Sequence, residues 1–403
     1  MALISVAQAL EQVLAHASPL PPDEVPLDKT NGSVLAYDLK ALRTQPPADV
    51  SAMDGYAVRA ADVAKAPVRL KVIGEVPAGR PFEGSIGPGQ AARIFTGGFV
   101  PNGADTVVIQ EVTARDGDSV EVQKPSGKGR HVRPKGLDFR EGEVLLTKGH
   151  RLTARDLALA AGMNHPLLPV YRRPKIALFA TGDELVPPGR EPGPGQIVYS
   201  NGFSLAALAR EEGAEVADLG LVNDTLEATL TAIEDARNVP ADILVTTGGA
   251  SVGDYDLVHK AFGKKGMDLS FWKVAMRPGR PLMHGRLGAM HVLGLPGNPV
   301  SSYVCGFLFL VPLIRKLSGR TVVHHVTETA LLARNVVAND RREDYLRARL
   351  EVRGDGALIT TPVDHQDSSL LGNLAAARAL VIRAPFATAA TAGTACDIMR
   401  LPD

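Results

Sequence analysis

The chain has 403 residues, with 44 Lys plus Arg against 44 Asp plus Glu. That length exceeds what one hydrophobic core usually serves, so roughly two to four domains are expected. A formal charge of zero gives no overall pull toward nucleic acid or an acidic membrane, so an anionic ligand must be held by local cations or backbone amides.

Met1 to Leu14 lacks the basic-then-apolar form of a secretory signal. Ile4, Val6, Leu10, Val13 and Leu14 recur at helical spacing. A Pro-rich stretch, Pro19 to Pro26, then breaks the chain. Residues 68 to 150 carry short alternating runs, such as Val68 to Val72 and Thr106 to Ile109, between Gly- and Pro-rich turns. That pattern predicts a compact β domain. Leu152 to Ala161 reads as a helix.

From Pro174 the style changes to alternating strand and helix. Lys175 to Ala180 reads as a strand, Phe203 to Glu212 as a helix closed by Gly213, and Glu215 to Val222 as a second strand. Asp224 to Arg237 reads as a helix with Asp224 at the N-cap and Glu227 three residues later. Asp242 to Thr246 and Met290 to Leu295 complete four strand candidates. This is βαβ architecture, so a mostly parallel sheet covered on both faces is expected. The most apolar run, Tyr303 to Ile314, is too short to span a bilayer and is interrupted by Gly306 and Pro312. It reads as a buried helix containing Cys305. From about Thr321 the short alternating runs return, which predicts a small terminal β domain. Cys305 and Cys396 are too widely spaced for a CxxC site and imply no disulfide framework. These features together point to a cytoplasmic protein that spans no membrane and binds no nucleic acid.

In an open parallel sheet, ligands bind beyond the carboxyl ends of the strands. Three strand ends here are chemically loaded: Thr181-Gly-Asp-Glu-Leu185, Thr246-Thr-Gly-Gly-Ala-Ser-Val-Gly-Asp-Tyr-Asp256 and Leu295-Pro-Gly-Asn-Pro-Val-Ser301. Small residues let the backbone approach a ligand, and the amides of the following helix can bind an anion. Asn298 before Pro299 fits an N-cap followed by a first-turn proline. Asp183, Glu184, Asp224, Asp254 and Asp256 all fall at strand-to-helix junctions. Gathered on one rim they would repel one another unless a hard cation such as Mg²⁺, shared with substrate phosphates, neutralised them. Asp224 reads equally well as a plain N-cap, and Asp183 and Glu184 as solvated surface acids. Between the second and third ends, Lys273, Arg277 and Arg280 form a cationic loop suited to an oxyanion, or else an exposed basic turn. Trp272 reads as core packing. In the first β-rich region, Ser51-Ala-Met-Asp54-Gly-Tyr56-Ala, Ile94-Phe-Thr96-Gly-Gly-Phe and Lys135-Gly-Leu-Asp138 stand out, although each also fits a turn.

The motifs Ser51-Ala-Met-Asp-Gly-Tyr-Ala, Thr181-Gly-Asp-Glu-Leu, Gly248-Gly-Ala-Ser-Val-Gly-Asp and Leu295-Pro-Gly-Asn-Pro-Val-Ser resemble the signatures of the molybdopterin molybdenumtransferases, a family that includes the C-terminal region of gephyrin. The match runs in order through nearly the whole chain. The resemblance implies a multidomain α/β plus β fold. An elongated first domain is built from residues 1–45 and 142–173, with a β domain inserted at 46–141. An α/β molybdopterin-binding domain follows at 174–320, and a C-terminal β-barrel-like domain at 321–403. Departures are modest: Arg277 and Arg280 stand where lysine is common, Leu137 replaces an acid, and Gly98-Phe99 alters the stretch after Thr96-Gly97.

What the resemblance implies for function is a molybdenum transferase. Asp54, Thr96, Asp138, Glu184, Asp224 and Asp256 match functional positions of the family. Gly248, Gly249, Ser251, Lys273, Arg277, Arg280, Pro296, Gly297, Asn298 and Ser301 would hold substrate phosphate or oxyanion. Asp183, Glu184, Asp224 and Asp256 would hold Mg²⁺. Molybdate and adenylyl-molybdopterin would be the substrates, with AMP released. The site would lie at a homodimer interface, and a molybdopterin adenylyltransferase would stand upstream. A gephyrin-like scaffold and a tungsten-selective paralogue remain as alternatives; the retained acids and basic loop favour the enzyme.

Overall fold

The structure is a computed structural model in which residues 3–248 and 257–402 are described. Its centre is a six-stranded sheet. Glu215–Val222, Lys175–Thr181, Ile243–Thr247 and Met290–Leu295 run parallel in that order, followed by Met283–Leu287 and Asp268–Trp272, each antiparallel to its neighbour. The inner strands are buried along nearly their whole length, as expected for a sheet covered on both faces. Side-chain alternation splits one strand between two cores. Ile176 and Leu178 face the cluster that contains Leu205, Leu208 and the helix beginning at Pro299, while Ala177 and Phe179 face Ile233, Ala236 and Phe262.

The four-strand expectation missed the antiparallel edge. Met283–Leu287 contains His284, Gly285 and Arg286, and Asp268–Trp272 opens on an acid. Polar residues at those points hide the alternation from a reading based on hydrophobicity.

The first helix, Val6–Leu14, is opened by a reciprocal capping box between Ser5 and Gln8. Val6, Ala9 and Val13 enter the sheet-domain core, and Ala275 N donates to Ile4 O. This helix, expected within the first domain, therefore packs on the central sheet. Pro299–Cys305, a π turn at Gly306–Leu310 and Val311–Leu317 form one continuous apolar helix. By length and composition alone it could cross a membrane, but 83% of it lies buried inside the protein.

Two chain segments build a separate body beside the sheet. Pro22–Pro26 pairs with Leu167–Tyr171, and Leu39–Lys40 with Val144–Leu146. Between them sits a six-stranded β unit ordered Thr106–Ile109, Gly55–Val58, Gln90–Ile94, Val68–Val76, Ser119–Val122, Thr113–Asp116. Gly55 is required there, because a Cβ would lie 2.0 Å from the Val108 carbonyl oxygen.

The C-terminal strands close into a five-stranded barrel: Glu343–Val352, Leu358–Pro362, Glu328–Leu332, Ala395–Arg400, Ala379–Arg383, and back to the first. Closure leaves these strands with no open edge. A two-residue strand from the sheet domain, Met276–Arg277, pairs in parallel with Glu343 and Asp344 and ties barrel to sheet.

Candidate active site

The loaded strand ends meet through their backbones. Gly248 has φ +86°, and a Cβ there would stand 2.1 Å from the Thr181 carbonyl oxygen. Only glycine lets the second strand end lie this close to the first. A Cβ at Gly297 would lie 3.6 Å from the Gly248 Cα, so the third end packs on the second. Asn298 occupies the N-cap position before Pro299, but its side chain does not cap. Its Nδ2 donates instead to Ser368 Oγ at 2.9 Å, and Val300 N donates to Ser368 O at 3.0 Å. The barrel thus reaches the third strand end. Pro296 and Ser301 are buried beside it.

The acids of the first strand end and of the following crossover share this rim. Asp183 Oδ1 accepts from Asp224 N at 3.0 Å. Thr225, and not Asp224, is the N-cap of Leu226–Asn238, accepting from Ala228 N at 3.1 Å. The helix-capping role expected for Asp224 therefore belongs to its neighbour, and the Asp224 carboxylate is left for the rim. Burial pushes its pKa up, and the nearby Asp183 and Glu184 carboxylates push the same way, against hydrogen bonding that lowers it. Glu184 is exposed, and its carbonyl accepts from Ile197 N at 2.8 Å.

Gly249, Ser251, Asp254 and Asp256 lie outside the described residues. Among the described residues, no three acidic, histidine or cysteine side chains are arranged to hold a metal ion. The donor chemistry nevertheless fits a hard divalent cation. Asp224, desolvated by burial and set beside two further carboxylates, is the kind of group such an ion neutralises. Asp183, Glu184 and Asp224 are the described residues that would face such an ion.

The cationic segment is not one loop. Asp268–Trp272 is strand, Lys273 follows at φ +80°, and Met276–Arg277 belongs to the barrel sheet. Lys273 Nζ sits 4.5 Å from the centre of the Trp272 ring, and His259 stacks on that ring at 4.8 Å. Trp272 is partly buried against the core. Arg277 Nε donates to Asp344 Oδ1 at 2.8 Å, its Nη2 donates to both the second Asp344 oxygen and Asn339 Oδ1, and Asp344 is only 4% exposed. The Arg277 charge is already engaged with the barrel. Arg280 is exposed.

In the inserted β unit, Asp54 Oδ1 accepts from Thr96 N at 2.7 Å and from Thr96 Oγ1 at 2.8 Å. The Thr96 amide, then its hydroxyl, hold the Asp54 carboxyl below its ordinary range, with Arg93 adding a smaller pull. Gly97 N donates to Ser51 O and Ser51 N to Gly98 O, so the two motifs are stitched together by backbone. Asp138 is exposed at the tip of a turn whose amide donates to Gln45 O. Asp54 and Thr96 thus meet each other within the β unit, while Asp183, Glu184 and Asp224 meet on the sheet domain.

Sequence reasoning passed over Asn201, whose Nδ2 donates to Gly297 O at 2.7 Å, and also Ser368 and Asp344. Asn201 stands at a helix start, where asparagine is ordinary, and the other two lie in a distant domain. Their partners become visible only when the domains are in contact.

Comparison with known proteins places the chain. Residues 4–163 match the MoeA N-terminal region (domain I and II), residues 177–316 a probable molybdopterin binding domain, and residues 329–401 the MoeA C-terminal region (domain IV). A molybdopterin molybdenumtransferase of Nostoc sp. is 38% identical over 387 residues, covering 94% of this chain and 88% of the relative. One from Bacillus subtilis is 36% identical over 387 residues, covering 94% and 90%. The crystal structure of a molybdopterin biosynthesis moeA protein from Pyrococcus horikosii superposes with a TM-score of 0.85 at 32% identity over the full length of both chains. The chain belongs to the molybdopterin molybdenumtransferase family, a family of transferases in molybdenum cofactor biosynthesis.

Proposed function

We propose that this chain transfers molybdenum from molybdate to the dithiolene of adenylylated molybdopterin, with release of AMP. The observation that carries the reading is the meeting of three strand ends at one rim, where Gly248 lies against Thr181 and Gly297 and where Asp183 and Asp224 are joined. Amides at such strand ends receive phosphate oxygens. Lys273 and Arg280 offset their charge. Arg277 acts from behind, as the tie to the barrel.

The chemistry asks for little covalent participation by the protein. Phosphoryl transfer is served by positioning and by charge stabilisation. Mg²⁺, when bound, supplies the charge that draws phosphate oxygens onto the rim. Glu184 and Asp224 would hold that ion, and Asp183 fixes Asp224 by accepting from the Asp224 amide. Cys305 is buried, with its pKa pushed up by desolvation, and it serves packing.

The pre-aligned Asp54 and Thr96 form the second half of the site. We assign them to a pocket completed by a second copy of the chain, in which one protomer's β unit faces the other's sheet domain. A twofold interface of that kind gives two equivalent sites. An upstream adenylyltransferase would supply the activated pterin.

The test is incubation of the purified protein with adenylylated molybdopterin, molybdate and Mg²⁺. Release of AMP that requires molybdate and is lost in Glu184→Gln supports the reading. Release that is indifferent to molybdate, or unchanged in that variant, removes it. Replacing molybdate with tungstate measures the oxyanion preference.

A further inference from the structure

Asn201 opens the helix Asn201–Glu211 and is 8% exposed. Ser200 holds the N-cap position and makes no side-chain cap, so Asn201, one residue inside, has no capping role to fill. Its side chain donates to Gly297 O at 2.7 Å, across to the third strand end. Upstream, Ile197–Val198 pairs in parallel with Leu185–Val186, and Ile197 N donates to Glu184 O at 2.8 Å. The stretch from Glu184 to Asn201 is therefore a strap. One end lies under the acid Glu184 and the other is fastened to Gly297.

Gly297 in turn lies against Gly248, and Gly248 against Thr181, which leads back through Gly182 and Asp183 to Glu184. The contacts close a ring through all three strand ends. Most of its links are van der Waals or backbone contacts at glycine, which have no side chain to key them. The Asn201 amide is the side-chain hydrogen bond that fastens the strap to the third strand end.

We propose that Asn201 is a positioning residue for the acid rim. Its amide holds the third strand end in register with Glu184 and Gly248, so that groups from three loops meet one substrate. The inference rests on the function assigned above. It requires no contact between Asn201 and substrate, and it acts through the backbone of Gly297. Displacement of about 1 Å in a reacting geometry costs on the order of 100-fold in rate.

The test pairs kinetics with amide hydrogen exchange on the full chain. Asn201→Ala and the isosteric Asn201→Asp each lower kcat for molybdate-dependent AMP release on the order of 100-fold, with little change in KM. Their thermal midpoints stay near that of the unaltered protein. In both, exchange quickens at Leu295 to Asn298 and also at Thr246 to Gly248. Unchanged kcat, or quickening confined to Leu295 to Asn298, overturns the proposal. If the alanine variant unfolds, the aspartate variant decides. Failure of the unaltered protein to release AMP would instead sink the assigned function, and the exchange result would still settle whether Asn201 couples the loops.

Discussion

Two aspartates of this chain have been prepared in opposite ways. Asp54 is held by an amide and a hydroxyl of one residue, and its carboxyl sits below the ordinary range. Asp224 is partly desolvated and crowded by Asp183 and Glu184, and its carboxyl sits above that range. The first is electrostatically satisfied within its own domain, so its place is fixed before any ligand arrives. The second carries charge that hydrogen bonds from Asp183 and Thr181 meet only in part. An acid left in that condition is the natural place for a cation and a phosphate, and it occurs on the domain where the strand ends converge.

The largest effect should follow from removing the unmet charge. Asp224→Asn is expected to lower molybdate-dependent AMP release on the order of 100- to 1000-fold, while thermal unfolding at neutral pH shows stability held or raised. Because its folded pKa is raised, Asp224 weakens the fold as pH climbs from the ordinary carboxylate range through its raised value, and the variant should lose that part of the pH dependence.

Asp54→Asn tests the opposite preparation. Activity falls, and stability at neutral pH falls with it, because two donors lose an anionic acceptor. The folded pKa of Asp54 is lowered, so its contribution is present above the ordinary carboxylate range and disappears as pH falls through the lowered value. The variant and the parent should therefore converge in stability on acidification. Equal pH dependence for the two variants would erase the distinction between the acids.

Smaller effects sharpen the contrast. Arg277→Lys keeps the charge but loses the two-pronged hold on Asp344, and unfolding measurements should register a loss of about 1 kcal/mol. Molybdate dependence of the rate should barely move, because Arg277 faces the barrel. Thr96→Val leaves the amide on Asp54 and removes only the hydroxyl. Titration should show the Asp54 carboxyl moving partway back up, with activity reduced by no more than about 10-fold.

Much of this architecture is legible in the sequence because burial on both faces writes itself as continuous apolar runs. Lys175–Thr181, Ile243–Thr247 and Met290–Leu295 are of that kind. Asp268–Trp272 and Met283–Leu287 are not, since polar residues interrupt the pattern. At the rim, glycines and acids announce the strand ends, but adjacency conceals roles. Asp224 and Thr225 are both good caps, and only the bond from Ala228 N shows which one is used. Arg277 looks like a ligand for an anion until Asp344, distant in sequence, takes up its guanidinium. Asn201 gives no signal of its own, because its partner is a backbone carbonyl 96 positions away.

The central claim is that the satisfied acid of one copy and the unsatisfied acids of another serve one reaction. Asp54→Asn and Glu184→Gln proteins, each strongly impaired alone, can be unfolded together and refolded as a mixture. If the site joins two copies across a twofold, random pairing makes about one quarter of the sites intact, and AMP release should recover to about that fraction of the parental rate. A mixture that stays as impaired as its components, although the two variants are shown to have associated, would contradict the claim.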